Sequence, residues 1–140
     1  MPRILITGAN SFVGNNIICC SKYRDLEEIS LLDKKPEEIN FKGIDVVIHL
    51  AAIVHQSKKI KEAEYFKINR DLCFRVAESA KKSGVNQFIF LSTVKVYGDN
   101  LPDSGTLNED SPCLPADSYG KSKREAELLL RQIEDTGFIE

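Results

Sequence analysis

Apolar positions along the chain fall into short runs and helical stripes that alternate. Ile4-Leu5-Ile6 is a short continuous run of the kind a strand shows when both of its faces are covered. Thr7 to Gly14 breaks it with a glycine turn, and Phe12 to Cys20 follows as an apolar-rich helix ending near Ser21. A second strand is predicted over Glu28-Ile29-Ser30-Leu31-Leu32-Asp33 and ends in a carboxylate. Lys34 to Asp45 is polar, with Pro36 and Gly43, and is read as connection with at most a scrap of strand around Ile39-Asn40-Phe41. Asp45 to Ala52 is the clearest buried strand. A long helix is predicted from Lys59 to Ser83, with Phe66, Cys73, Val76, Ala77 and Ala80 at helical spacing and Gly84 as its C-cap.

Gln87 to Leu91 is the next strand, ending at Ser92-Thr93. A long loop with Gly98, Pro102, Gly105, Pro112 and Pro115 follows, and loops of that length in compact domains usually carry function. The last helix is predicted from Ser118, as N-cap, to about Asp135, with Gly137 as its stop. Phe138-Ile139 looks like the approach to another strand. Strand and helix in alternation predict an α/β fold with a parallel, doubly wound sheet. A glycine turn so close to the N-terminus makes the first strand the central one.

At 140 residues the chain makes one domain with a real core. Its hydrophobic share is 42%, its charged share 29% and its net charge −2, so no basic excess points to nucleic acid. The apolar runs around Val46 and Phe88 are too short to cross a membrane, and the N-terminus does not resemble a signal peptide. A cytoplasmic protein is expected. Cys19, Cys20, Cys73 and Cys113 have no C-x-x-C spacing and are expected to be buried free thiols. His49 and His55 have no metal-site arrangement around them.

Candidate chemistry gathers at three places. In Thr7-Gly8-Ala9-Asn10-Ser11-Phe12-Val13-Gly14, Gly8 allows the tight turn and Gly14 a close helix–sheet approach, while Ser11 occupies the middle position of a G-x-x-G-x-x-G spacing. Such a turn offers backbone N–H groups to a phosphate. Thr93 or Ser92, at the end of a later strand, can hold a substrate oxygen. Tyr119 and Lys123 stand four apart on one helix face. A phenol is a weak base, with a free pKa of about 10, and a neighbouring ammonium favours its phenolate. All three places are expected at the carboxyl side of the sheet, where open α/β folds bind ligands.

In that order and at about that spacing, Ile6 to Gly14, His49-Leu50-Ala51-Ala52, Asn69, Leu91 to Gly98 and Tyr119-Gly120-Lys121-Ser122-Lys123 resemble an extended short-chain dehydrogenase/reductase of the NAD-dependent epimerase/dehydratase group. The resemblance implies a Rossmann-type sheet and nucleotide-sugar substrates. It implies Tyr119 as catalytic acid/base, Lys123 as holder of the nicotinamide ribose and Thr93 as partner of the reacting sugar oxygen. Gly8, Asn10, Ser11, Phe12, Val13 and Gly14 would take the pyrophosphate. Asp33 matches the carboxylate for the adenosine ribose, which favours NAD over NADP, and Lys34 and Lys35 offset part of that preference. Leu50, Ala51 and Ala52 would line the dinucleotide, and Asn69 matches an asparagine near the cofactor.

Members that dehydrate a hexose carry Asp-Glu directly after the Thr93 position, where this chain has Val94 and Lys95. That leaves a 4-epimerase or a reductase, with the closest likeness to bacterial enzymes of surface-polysaccharide synthesis. The resemblance also implies an incomplete sheet, with an abbreviated third strand and with the last strands and the C-terminal substrate region missing. An inactive dinucleotide-binding remnant is the alternative. The strand Phe88 to Leu91 is then expected at a bare sheet edge, and a homodimer would cover the helices around Phe66 and Leu128.

Overall fold

The computed structural model describes residues 1–54, 60–99 and 105–140. Four parallel strands, β1 (Ile4–Thr7), β2 (Leu26–Ile29), β3 (Val46–His49) and β4 (Gln87–Phe90), form a sheet in the order β2-β1-β3-β4. β1 is an interior strand, as its apolar run requires, and all four of its residues are buried. Registry pairs Leu5 with Val47 and Val47 with Phe88, so one apolar row crosses three strands. Two residues further on, the same face carries Thr7, His49 and Phe90 in register.

Helix α1 (Phe12–Cys20) follows β1, and α2 (Glu62–Tyr65) runs through a π-helical segment, Phe66–Leu72, into α3 (Cys73–Lys82). Helix α4 (Ser118–Gln132) follows β4 and its long loop. Cys73, Val76, Ala77 and Ala80 of α3 pack on the Leu5–Val47–Phe88 row together with Leu130 of α4. Between β2 and β3 there is neither helix nor strand, only a 3-10 turn at Pro36–Glu38. Ile39, Phe41 and Ile44 from that connection enter the core, so an irregular segment closes it.

Several boundaries differ from expectation. The second strand is Leu26–Ile29 rather than 28–33, because parallel pairing with β1 ends at Thr7↔Ile29. β3 ends at His49 rather than Ala52, since the chain leaves the sheet at Leu50. Asp117, not Ser118, is the N-cap of α4, its Oδ1 accepting the Gly120 amide at 2.7 Å. Helix α4 stops at Gln132, short of Asp135. Cys73 is buried, but Cys19 and Cys20 are exposed and Cys113 is half-buried, because α1 presents little beyond Gly14 to the sheet. The outer edge of β4 is not bare. Phe88 forms a parallel bridge with Ile139, and the Phe88 and Phe90 amides donate to the Phe138 and Glu140 carbonyls at 2.6 Å each. Lys59, His55 and Pro102 lie outside the described residues.

Gly8 sits at φ +96°, and a Cβ there would stand 2.8 Å from the Ala51 backbone nitrogen. Both facts exclude a side chain, so the turn after β1 and the segment after β3 touch only because residue 8 is glycine. Gly8→Ala is expected to cost about 1–3 kcal/mol, measured as a lowered midpoint in urea unfolding.

Candidate functional site

The carboxyl ends of β1, β3 and β4 open onto a cleft of about 340 Å³ lined by Ser11, Phe12, Val13, Leu50, Ala52, Val54, Leu91, Ser92, Tyr119 and Lys123. The glycine turn, the segment after β3 and the Tyr–Lys helix therefore meet in one place, although they lie far apart in sequence. Ser11 is the N-cap of α1, and its hydroxyl accepts the Gly14 amide at 3.0 Å. The side chain at the middle position thus turns back onto its own helix. Phe12 stands 83% exposed at the mouth.

Thr93 lies beyond the cleft's lining. It caps a 3-10 turn, Val94–Tyr97, its Oγ1 accepting the Lys95 amide at 3.3 Å. Ser92, the other hydroxyl at this strand end, donates to Glu127 on α4. Lys95 donates to the N-cap carboxylate Asp117 at 2.8 Å, and a Cβ on Gly120 would stand 2.7 Å from the Lys95 carbonyl oxygen. The Thr93 turn and the first turn of α4 are thereby held against each other. Ala51 packs on Gly8, while Asn10, at φ 62°, and Asp33 are exposed and do not line the cleft.

Asn69 comes from the π-helical segment and is 1% exposed. Its Oδ1 accepts the Ile53 amide at 2.7 Å, and its Nδ2 donates to the Ile53 carbonyl at 2.9 Å and to the Ser122 hydroxyl at 3.1 Å. Ser122 in turn donates to the Tyr119 carbonyl at 2.8 Å. One buried amide thus ties the segment after β3 to the Tyr–Lys helix. π-helical turns recur at functional sites, where an extra residue re-aims a side chain.

Lys123 is 3% exposed, with its ammonium 4.0 Å above the centroid of the Phe90 ring. Burial pulls its pKa down to about 8, against the opposing fields of Cys73 and Glu127. His49 is 1% exposed, bonded through Nδ1 to the Thr7 hydroxyl at 2.7 Å and stacked on Phe88. Its Nε2 has no hydrogen-bond partner among the described residues. Burial first, and the Lys123 charge second, pull the imidazole down to about 3, so it is neutral at neutral pH. Burial pushes the Cys73 thiol up to about 12. Among the described residues no group of three His, Cys, Asp or Glu stands close enough to hold a metal, and no helix is long and apolar enough to cross a membrane.

Asp117, Ser122, Glu127 and the Thr7–His49 pair were not singled out from sequence. Asp117 had a local signal, an aspartate three residues before a glycine amide at a helix start. The others depend on contacts between distant segments.

Residues 4–139 match the model of the "NAD dependent epimerase/dehydratase family". The chain belongs to this family. A UDP-glucose 4-epimerase of Vibrio cholerae is 31% identical over 93% of the chain and 47% of its own length. A short-chain dehydrogenase/reductase superfamily protein from Agrobacterium tumefaciens, solved with bound NAD, superposes with a TM-score of 0.83 at 25% identity, covering 99% of this chain and 47% of that one. A UDP-glucuronic acid 4-epimerase from Bacillus cereus, solved with NAD, has a TM-score of 0.74 at 25% identity over 98% of this chain and 54% of its own. The chain spans about half the length of these family members.

Two outcomes are expected. Asn69→Leu strands the Ile53 amide and carbonyl, each costing about 1–3 kcal/mol when left unpaired and buried, which chemical denaturation would register. The His49 pKa is lower folded than unfolded, so the unfolded chain binds more protons in between, and stability falls as pH drops from about 6.5 towards about 3. Relative to His49→Asn, the wild type should lose about 1.4 kcal/mol per pH unit within that window, read from unfolding curves at pH 6, 5 and 4.

Proposed function

We propose that the chain is the dinucleotide-binding part of a nucleotide-sugar 4-epimerase that uses NAD, in the setting of surface-polysaccharide biosynthesis. The observation that carries the reading is the single cleft shared by Ser11, Phe12 and Val13 of the glycine turn and by Tyr119 and Lys123 of α4. Its lining suits a dinucleotide. There are apolar walls for flat rings, a helix N-terminus for a pyrophosphate, and a buried ammonium among the lining residues. The 4-epimerase activity of the relatives from Vibrio cholerae and Bacillus cereus supports the choice of reaction.

In this reading Gly8, Asn10, Ser11, Phe12, Val13 and Gly14 hold the pyrophosphate, and Asp33, exposed beyond β2, takes the adenosine ribose hydroxyls. A phosphate on that ribose would meet the Asp33 charge, which selects NAD over NADP. Leu50, Ala51 and Ala52 line the dinucleotide, Asn69 shapes that wall through Ile53, and Lys123 donates to the nicotinamide ribose. Bound NAD would supply the hydride acceptor at the sugar C4. Tyr119 takes the hydroxyl proton there and returns it, while Thr93 holds the same oxygen. Epimerisation then requires hydride removal from one face of C4 and its return to the other. Dehydration would need carboxyl groups directly after Thr93, and the Lys95 ammonium is instead committed to Asp117 and Asp99.

Calorimetric titration of the chain with NAD and with NADP tests the cofactor assignment. Saturable binding, tighter for NAD and weakened at least about tenfold in Lys123→Met, is expected, and tighter NADP binding would overturn it. In a protein that also carries the substrate-binding half, Tyr119→Phe should lower turnover about 10²–10⁴-fold, the usual worth of general acid/base catalysis. Wild-type turnover in that variant would remove Tyr119 from the mechanism.

A further inference from the structure

Lys95 touches both segments that carry the proposed acid/base chemistry, and it does so with each of its polar groups. Its amide donates to the Thr93 hydroxyl oxygen at 3.3 Å, inside the 3-10 turn that Thr93 caps. Its carbonyl oxygen accepts the Gly98 amide at 3.2 Å. The same oxygen lies so near α4 that a Cβ on Gly120 would stand 2.7 Å from it. Its ammonium donates to Asp117 Oδ2 at 2.8 Å, while Asp117 Oδ1 caps the Gly120 amide at 2.7 Å. Asp99, just beyond the turn, is the weaker partner of that ammonium at 3.4 Å.

Sterics and charge act in opposite directions here. The Lys95 carbonyl limits how near the turn and α4 can come, and the Leu114 carbonyl does the same at Gly98, where a Cβ would stand 2.3 Å away. Repulsion of that kind sets a minimum separation and holds nothing together. The Lys95–Asp117 pair supplies attraction across the gap, between groups 22 positions apart. Their side chains are 37% and 30% exposed, so the pair adds little to global stability. Its effect is local. It selects one seating of the Thr93 turn on the helix start that carries Tyr119.

We infer that Lys95 is a positioning residue, which fixes the Thr93 hydroxyl relative to the Tyr119 phenol by anchoring its turn to the N-cap carboxylate of α4. The inference rests on the reading of Thr93 and Tyr119 as partners of one substrate oxygen, because reacting groups must be held near contact distance. It also gives position 95 a bearing on reaction type. A carboxylate there would face the Asp117 carboxylate, so this helix start favours a cation and works against the acidic pair that dehydration needs.

The strap is tested in the ligand-free 140-residue protein, and its consequence in a protein that also carries the substrate-binding half. In the first, amide hydrogen exchange is followed by NMR at Val96 and Gly98, whose bonds to Thr93 and Lys95 close the turn. Lys95→Met is expected to speed both by about threefold, the local worth of a part-exposed ion pair. Asp117→Asn keeps a cap acceptor but removes the charge, and should do the same. The double variant should be no faster than either single one. Lys95→Arg should restore wild-type exchange, and Asp99→Asn should change it less. Unmoved exchange in Lys95→Met and Asp117→Asn, additive effects in the double variant, or an equal effect in Asp99→Asn would overturn the strap. In the second protein, Lys95→Met should lower kcat about 10- to 100-fold, as for a small misplacement of reacting groups. KM for the sugar nucleotide and affinity for NAD should stay near wild type, and Lys95→Arg should recover most of the loss. In a Thr93→Val background the same substitution should cost nothing further. A full additional loss there, or an unchanged kcat in Lys95→Met, would overturn the positioning role. Wild-type kcat in Thr93→Val itself would remove Thr93 from the chemistry and overturn that role with it, while the exchange result would still decide the strap.

Discussion

Burial of the Leu5–Val47–Phe88 row beneath α3 is the constraint on which the site depends. The row fixes the register of three parallel strands, and a slip of one residue would turn each strand's side chains to the opposite face. With that register set, Thr7, His49 and Phe90 form the next level row towards the carboxyl end. Lys123 rests on this row, its ammonium over Phe90 and its charge felt by His49. An apolar packing decision at the centre of the sheet thus determines where an ammonium sits at its edge.

Around that floor, the site is assembled from buried polar groups, which cost stability unless they are satisfied. Asn69 shows the solution most fully, because its amide is used by the Ile53 backbone and by Ser122. His49 and Lys123 show the opposite case. Both bases are held with pKa values below their ordinary ones, and both therefore withdraw stability as pH falls through their windows. Strain of this kind is common where a fold keeps a group ready for a ligand. The rigid apolar row and the Asn69 clamp offset it.

The chain joins regular α/β packing to an irregular connection. Ile39, Phe41 and Ile44 close the core where a doubly wound half would usually insert a helix and a strand. Arg75 of α3 pairs with Glu37 at 2.6 Å and so helps fasten the connection to the helix it covers. β2, with Glu27 and Glu28 at its centre, is the outer strand beside it, and charged side chains of that kind discourage pairing with another sheet.

The sequence by itself determined the alternation of elements, the parallel sheet and the interior place of β1, because these follow from local apolar runs, glycine breaks and helical stripes. It also marked the glycine turn and the Tyr119–Lys123 pair, whose spacing is meaningful within one helix. Strand ends were less legible: β2 and β3 stop where their partners stop, and Asp33 and Ala52 carry no local mark of that. The exposure of Cys19 and Cys20 was hidden too, since it depends on how little of α1 meets the sheet. Only the tertiary structure decided that Ser92 is bound to Glu127, that Asn69 clamps Ile53, and that a neutral His49 lies within the field of the Lys123 ammonium. Those contacts join residues 16 to 74 positions apart, and their energies come from desolvation and hydrogen bonding that exist only once the segments are packed.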